Sequence, residues 1–279
     1  MLKLRLPHEK EKQMKKILTT GLILTYFWAN NLVAMTLAEA TTGAHRSGEN
    51  IARNAHRNPT KTLEFFGLKE NMTVLEIWPG SRGWYTEVLA PYLKTNGVYY
   101  AANFDGSTGA AYFEKAAKKF QQKINASPDI YGNIKLTTLM PPNKVVSAPA
   151  ETVDLVVTFR NIHNWVNNGI EKAILTSAYK ALKKNGVLGL VAHRTKDSSM
   201  GLESAQTGYL TEEQVIAIVE EVGFSFEARS EINANPSDSA NHPKGVWTLP
   251  PMLRLGEIDK EKYMAIGESD RMTLKFIKK

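Results

Sequence analysis

The chain has 279 residues, of which 43% are hydrophobic and 23% are charged. This composition is typical of a globular protein, and it excludes a long disordered chain, a collagen-like repeat and a coiled coil. The lack of cysteine excludes disulfides, a thiolate nucleophile and metal sites built on cysteine. At roughly 150 residues per domain, the length predicts one or two domains.

The net charge of +7 is concentrated at the N-terminus. Residues 1–38 contain six of the 35 basic residues but only two of the 28 acidic ones. The rest of the chain is therefore close to neutral. A basic balance that comes from one end of the chain is weak support for nucleic-acid binding, and we expect no nucleic-acid partner.

The N-terminal segment has the features of a secretory signal peptide. Two lysines precede an uncharged apolar run that begins at Ile17, and small residues around Ala38 form a cleavage-site pattern. We predict that residues 1–38 are a signal peptide, that the protein is periplasmic or secreted, and that no membrane insertion persists after cleavage. A start at Met14 would place residues 1–13 outside the translated protein. The alternative is a retained membrane anchor, because about 20 residues just span a bilayer.

After a helical segment at residues 39–70, residues 71–279 alternate between apolar strands and amphipathic helices. Seven strands are predicted, at 72–78, 98–104, 134–139, 153–159, 187–192, 224–232 and 272–277. Helices are predicted at 58–66, 84–93, 110–124 and 170–182, and from the capping box at Thr211–Gln214 to Gly223.

This alternation predicts an α/β fold with a doubly wound, mostly parallel sheet and helices on both faces. No crossover helix of usual length separates the last two strands, so we expect the seventh strand to be antiparallel. The loop at 233–270 is unusually long for a connection, and we expect it to have a functional role.

A glycine-containing turn directly follows the first strand, in the segment Glu76-Ile77-Trp78-Pro79-Gly80-Ser81-Arg82-Gly83. Ligands of open α/β sheets bind at the carboxyl ends of the strands. Glycine lets the backbone approach a ligand closely, and we expect Glu76 at the strand end to face the same crevice. The turn is therefore the main chemical signal in the sequence.

This turn resembles the first motif of the class I S-adenosylmethionine-dependent methyltransferases, acid-x-Gly-x-Gly-x-Gly. The segments Glu76–Gly80 with Gly83–Glu87, and Phe159–Trp165, are similar to a group of exported bacterial proteins classed as predicted methyltransferases. The resemblance covers about residues 58–278, and it implies a Rossmann-like seven-stranded fold with S-adenosylmethionine as cofactor. Trp78 replaces the first glycine of the motif, and Arg82 stands at the third.

The resemblance also implies which residues hold the methyl donor. We expect Glu76, Gly80, Ser81 and Gly83 to contact it. Ribose-binding acids of the family end the second strand, where this chain has Asn103, with Asp105 two residues further on. We expect one of these two residues to bind the ribose hydroxyls.

Polar and aromatic residues crowd the chain directly after the fourth strand, at the predicted mouth of the crevice. We predict that His163 is the catalytic base, because its usual pKa lies near neutral pH. We predict that the acceptor is bound by Arg160, Asn161, Asn164 and Trp165. The other histidines are not at metal-ligand spacing, and no metal site is predicted.

Three functions remain open from the sequence. The first is methyl transfer from S-adenosylmethionine to a small molecule. The second is a catalytically lapsed, exported small-molecule-binding protein on the same fold, because the donor is made in the cytoplasm. The third is a nicotinamide-dependent oxidoreductase, which is disfavoured because the Gly-x-Gly-x-x-Gly spacing is absent.

Overall fold

The computed structural model describes residues 34–279; most of the predicted signal peptide lies outside the described residues. The strands are β1 (Thr73–Ile77), β2 (Val98–Asn103), β3 (Lys135–Thr138), β4 (Val153–Phe159), β5 (Leu182–His193), β6 (Phe224–Ser230) and β7 (Arg271–Lys278). They form one sheet in the order β3-β2-β1-β4-β5-β7-β6, and β7 runs antiparallel to both of its neighbours. The predicted fold class and the antiparallel seventh strand are confirmed.

Helices cover the sheet. They are α1 (Leu37–Thr42), α2 (Gly48–Ala52), α3 (Asn54–Arg57), α4 (Pro59–Phe65), α5 (Thr86–Leu93), α6 (Ala111–Ala126), α7 (Pro128–Tyr131), α8 (Ile162–Asn167), α9 (Glu171–Ala181), α10 (Glu212–Glu220) and α11 (Lys260–Ile266). Thr211 forms the predicted capping box with Gln214 at the start of α10. Between residues 34 and 279, no helix combines the length and the apolar character needed to cross a membrane.

Strands β1 and β4 are buried on both faces, because side chains of a strand alternate between the two sides of the sheet. Leu75 packs in one core with Ile174 of α9. Val74, its neighbour in the chain, packs in the other core with Val88 of α5. Between β1 and β4 the strand order reverses, which places the crevice for ligands at their carboxyl ends.

The structure differs from the sequence prediction in two places, and the second is beside this crevice. Strand β5 begins at Leu182 and not at the predicted residue 187, so Lys183 and Lys184 lie in the strand. The pairing with β4 shifts between Val153 and Leu155, and this irregularity absorbs the extra residues. The polar segment after β4, expected as a loop, forms the short helix α8 because Ile162 and Trp165 on one side of it are buried.

The carboxylate of Glu76 lies beneath α5 and joins three elements. One of its oxygens accepts a hydrogen bond from the Thr86 hydroxyl of α5 at 3.0 Å and another from the Tyr99 hydroxyl of β2. Glu76 is 3% exposed, and burial raises its pKa to about 7 against the opposing effect of these hydrogen bonds. Glu76 therefore holds α5 and β2 against β1.

The raised pKa of Glu76 predicts how stability depends on pH. The folded state favours the protonated carboxyl, so this stabilisation is present below the unfolded pKa of about 4.3 and is lost as the pH rises through about 7. The Glu76→Gln variant stays neutral at every pH. Between weakly acidic and weakly basic pH, the free energy of unfolding of this variant should rise by about 3 kcal/mol relative to that of the wild type. Urea unfolding at each pH measures this difference.

The matched control is Glu261→Gln, which removes an exposed carboxylate on α11. Its difference from the wild type should change little over the same pH range. A pH-independent difference for Glu76→Gln would contradict the raised pKa.

Candidate functional site at the carboxyl ends of strands β1 and β4

The two glycines of the turn after β1 serve different purposes. Gly80 has φ +74°, and a Cβ atom added to it would meet nothing within 4 Å. Gly83 has φ +54°, but its added Cβ would lie 2.7 Å from the ring of Phe120 on α6. Gly80 therefore leaves open space for a ligand, whereas Gly83 is required where the turn packs on α6. Ser81 lines a surface groove with Glu49 and other polar residues.

Trp78 follows β1 at the position of the first glycine of the methyltransferase motif. Its φ is +53°, in the left-handed region that side chains rarely adopt. The indole Nε1 donates a hydrogen bond to the carbonyl of Leu139 at 2.8 Å, and the ring packs edge-on against Phe104. Because Leu139 follows β3 and Phe104 follows β2, the Trp78 side chain forms an apolar floor across the ends of three strands.

Asn103 lies beside Gly80, so the structure brings these two predicted residues together. Its Nδ2 donates to the carbonyl of Gly80 at 3.4 Å, and its Oδ1 is buried without a hydrogen-bond partner among residues 34–279. Asp105 accepts hydrogen bonds from Ser107 and pairs with Lys144 at 3.1 Å. These contacts lower the pKa of Asp105 to about 2, with the Ser107 hydroxyl as the largest cause. Of the two expected ribose-binding residues, Asn103 is the one with a free acceptor next to the open glycine.

Glu76, by contrast, has its carboxylate engaged beneath α5 by Thr86 and Tyr99. From its place at the end of β1, Glu76 is expected to face the crevice. Both hydrogen bonds go to Oε2, which supports the turn, whereas Oε1 accepts no hydrogen bond from residues 34–279.

The expected acceptor residues after β4 separate into different environments. The amide of Asn161 donates to the carbonyls of Ile77 and Trp78, each at 3.1 Å, and so it ties the end of β4 to the turn after β1. Asn164 is half-buried on α8. Trp165 is fully buried, and its ring packs at 6.0 Å from that of Trp78. Trp165 is therefore part of the core, and its ring is not exposed to the acceptor that it was expected to bind.

His163 is 4% exposed, and its Nδ1 is buried with no partner in the described part of the chain. Burial, helped by the charge of Arg160, lowers its pKa to about 4, so the ring is neutral at neutral pH. Its ring lies 5.5 Å from that of His193 and 6.0 Å from that of Trp247. A neutral imidazole with a free ring nitrogen at this edge can accept a proton or a hydrogen bond.

Several residues at this edge were missed in the sequence analysis. Trp247 comes from the long loop, and Ser269 bonds the Nδ1 of His193 at 2.6 Å. Glu268 pairs with Arg53 and Arg57, which lie more than 200 positions earlier in the chain. The length of the 233–270 loop was the one signal in the sequence that pointed toward these residues.

No protein-family model matches the sequence, and no curated protein matches it either. Solved structures match the fold. A SAM-dependent methyltransferase from Aquifex aeolicus is 18% identical, with a TM-score of 0.54 over 87% of this chain and 97% of that chain. The [4+2]-cyclase SpnF is 11% identical, with a TM-score of 0.55 over 84% of each chain.

A third solved structure is phosphoethanolamine N-methyltransferase 2 from Haemonchus contortus in complex with S-adenosyl-L-methionine. It is 13% identical, with a TM-score of 0.51 over 80% of this chain and 52% of that chain. Together these likenesses show that the chain has the Rossmann-like fold of the class I S-adenosylmethionine-dependent methyltransferases.

Proposed function

We propose that this protein is an S-adenosylmethionine-dependent methyltransferase that acts on a small-molecule acceptor. The observation that carries the proposal is the open space at Gly80 beside Oδ1 of Asn103, which has no hydrogen-bond partner among residues 34–279. Both lie at the point where the strand order reverses, which is where ligands bind in open α/β sheets.

The residues at this edge fit the nucleoside part of the donor. A buried acceptor without a partner costs about 1–3 kcal/mol, and a ribose hydroxyl can supply the missing donor to Asn103. Gly80 lets the backbone come close to the ligand, since no side chain intervenes. Trp78 and Phe104 give an apolar surface for the base.

S-adenosylmethionine supplies a methyl group made electrophilic by the positive charge on its sulfur. The chain's own residues hold and orient the two reactants, which is the main catalytic effect available here. His163 is neutral at neutral pH because burial lowers its pKa to about 4, so its Nδ1 can take the proton that the acceptor releases.

The second candidate function is a binding protein on the same fold that no longer transfers methyl groups. Trp78 favours it, because a bulky indole stands where the methyltransferase motif has its first glycine. One solved structure with a similar fold is named a [4+2]-cyclase, so a protein of this fold need not be named a methyltransferase. Binding of the donor without turnover would distinguish this function from the first.

The Gly80→Val variant should lose binding of S-adenosylmethionine and of its demethylated product. Its side chain fills the open space beside Asn103, whereas the sheet stays folded because no atom lies within 4 Å of the new Cβ. Isothermal titration calorimetry of the wild type and the variant with both ligands measures the effect. Positive φ imposes a strain of about 1–3 kcal/mol on the new residue.

The matched control is Gly67→Val, because Gly67 has φ +81° and equally open surroundings but lies away from the crevice. It should be destabilised like Gly80→Val and still bind the donor. If neither ligand binds the wild type at millimolar concentration, the methyltransferase proposal fails.

The His163→Asn variant should keep its affinity for the donor and lower kcat by about 10²–10⁴-fold, as expected for loss of a general base. In the wild type, kcat should fall only as the pH drops toward about 4, where the ring becomes protonated. A pH profile of kcat on an acceptor found by screening measures both. An unchanged kcat in the variant would remove His163 from the mechanism.

We also propose that the protein is exported, as the lysine pair, apolar run and small residues of the N-terminal segment indicate. The mature chain should then begin near Glu39 or Thr41. N-terminal sequencing of the protein from fractionated cells tests this, and an intact Met1 or Met14 in the cytosol would show that it is not exported.

A further inference from the structure

Around Glu268, at the carboxyl edge of the sheet, positive charge is in local excess. Arg53, Arg57 and Arg271 surround one carboxylate, that of Glu268, at 2.7, 3.1 and 3.4 Å. Although burial acts in the opposite direction, the arginines lower the pKa of Glu268 to about 2, so it is fully ionised. A single carboxylate therefore faces three guanidinium groups even before Arg160 is considered.

Arg160 adds a fourth guanidinium next to this group. It directly follows β4, is half-buried, and forms no ion pair or side-chain hydrogen bond with any residue between 34 and 279. Burial is the largest cause that lowers its pKa, to about 10, and the charges of Arg271 and Arg53 act in the same direction. Glu268 attracts Arg160 and acts in the opposite direction, but this carboxylate is already shared with Arg53, Arg57 and Arg271.

The backbone of Arg160 is also strained. Its φ is +64°, where glycine or asparagine is far more favourable than arginine. The backbone is held there because the Arg160 N–H donates to the carbonyl of Val191 on β5 at 2.7 Å. A strained arginine whose guanidinium forms no ion pair or hydrogen bond with residues 34–279 is not explained by local stability, which points to a role in binding.

Two further guanidinium nitrogens lack acceptors. Nη2 of Arg53 and Nη1 of Arg57 are buried without a hydrogen-bond partner in the described chain, and Arg57 is only 2% exposed. Arginine donors form a planar fork that matches the oxygens of a carboxylate or a phosphate. An oxyanion bound here would accept hydrogen bonds from both nitrogens.

We propose that Arg160, with Arg53 and Arg57, binds the anionic group of the methyl acceptor, a carboxylate or a phosphate. This inference rests on the proposed methyltransferase function. Arg160 stands three positions before His163 and on the β4 side of the crevice, whereas Gly80 and Asn103 lie on the β1 and β2 side. The acceptor and the donor are thus held on opposite sides of the point where the strand order reverses.

The test is thermal unfolding and calorimetric titration of the mature protein with sodium phosphate and with sodium acetate. Sodium chloride at equal ionic strength is the reference, and no methyl donor is present. The wild type should show saturable stabilisation by phosphate, acetate or both, and the stronger of the two identifies the class of anion. Stabilisation that does not exceed that by chloride would overturn the proposal.

The decisive variant is Arg160→Gln. It should weaken anion binding by about tenfold or more. In chloride alone its melting temperature should equal or exceed that of the wild type, because an unpaired charge has been removed. Arg160→Lys should retain only part of the binding, since it keeps the charge but loses the fork. Undiminished anion binding in Arg160→Gln would show that Arg160 does not bind the anion.

The control is Lys172→Gln, which removes an exposed positive charge on α9 that pairs with Glu221 at 2.7 Å. It should bind the anion as the wild type does. The demethylated donor should bind Arg160→Gln and the wild type equally. Failure of the wild type to bind that ligand would overturn the methyltransferase function but leave the anion titration unaffected, so the two failures are distinguishable.

Discussion

The candidate site depends on the way in which the chain leaves strand β1. Trp78 takes a left-handed backbone conformation there, and the amide of Asn161 bonds the carbonyls of Ile77 and Trp78 at 3.1 Å. These bonds fix the turn after β1 against the end of β4. The indole hydrogen bond to Leu139 and its burial compensate for the backbone strain. Gly80 lies two residues after Trp78 in the same turn, so the bonds that hold the turn also set the position of the open space at Gly80.

Two arginines at the carboxyl edge of the sheet, Arg194 and Arg160, differ in how their positive charge is compensated. Arg194 donates hydrogen bonds from Nε and Nη2 to Asp270 and from Nη1 to Glu212. Its charge is therefore compensated, and the pairs hold these elements together. Arg160 lies at the same edge and forms no ion pair or side-chain hydrogen bond with residues 34–279, although the charge of Glu268 attracts it. A fold optimised for stability alone would pair or remove that charge. The contrast separates a structural cluster from one that is suited to a ligand.

The fold does not determine the chemistry. A methyltransferase and a [4+2]-cyclase both match this chain at TM-scores above 0.5. The properties that favour methyl transfer belong to a few side chains at the crevice. Gly80 and Asn103 provide space and an acceptor on one side, and the neutral ring of His163 lies with Arg160 on the other.

The sequence by itself determined the seven strands, the antiparallel β7 and the capping box at Thr211, because apolar periodicity and capping act over a few neighbouring residues. It also located the glycine turn, but not that Gly80 alone opens to a ligand. Only the tertiary structure decided that Trp165 is buried and that Glu268 meets arginines more than 200 positions earlier. Burial and charge pairing depend on which distant segments pack together, and no local pattern in the sequence records that packing.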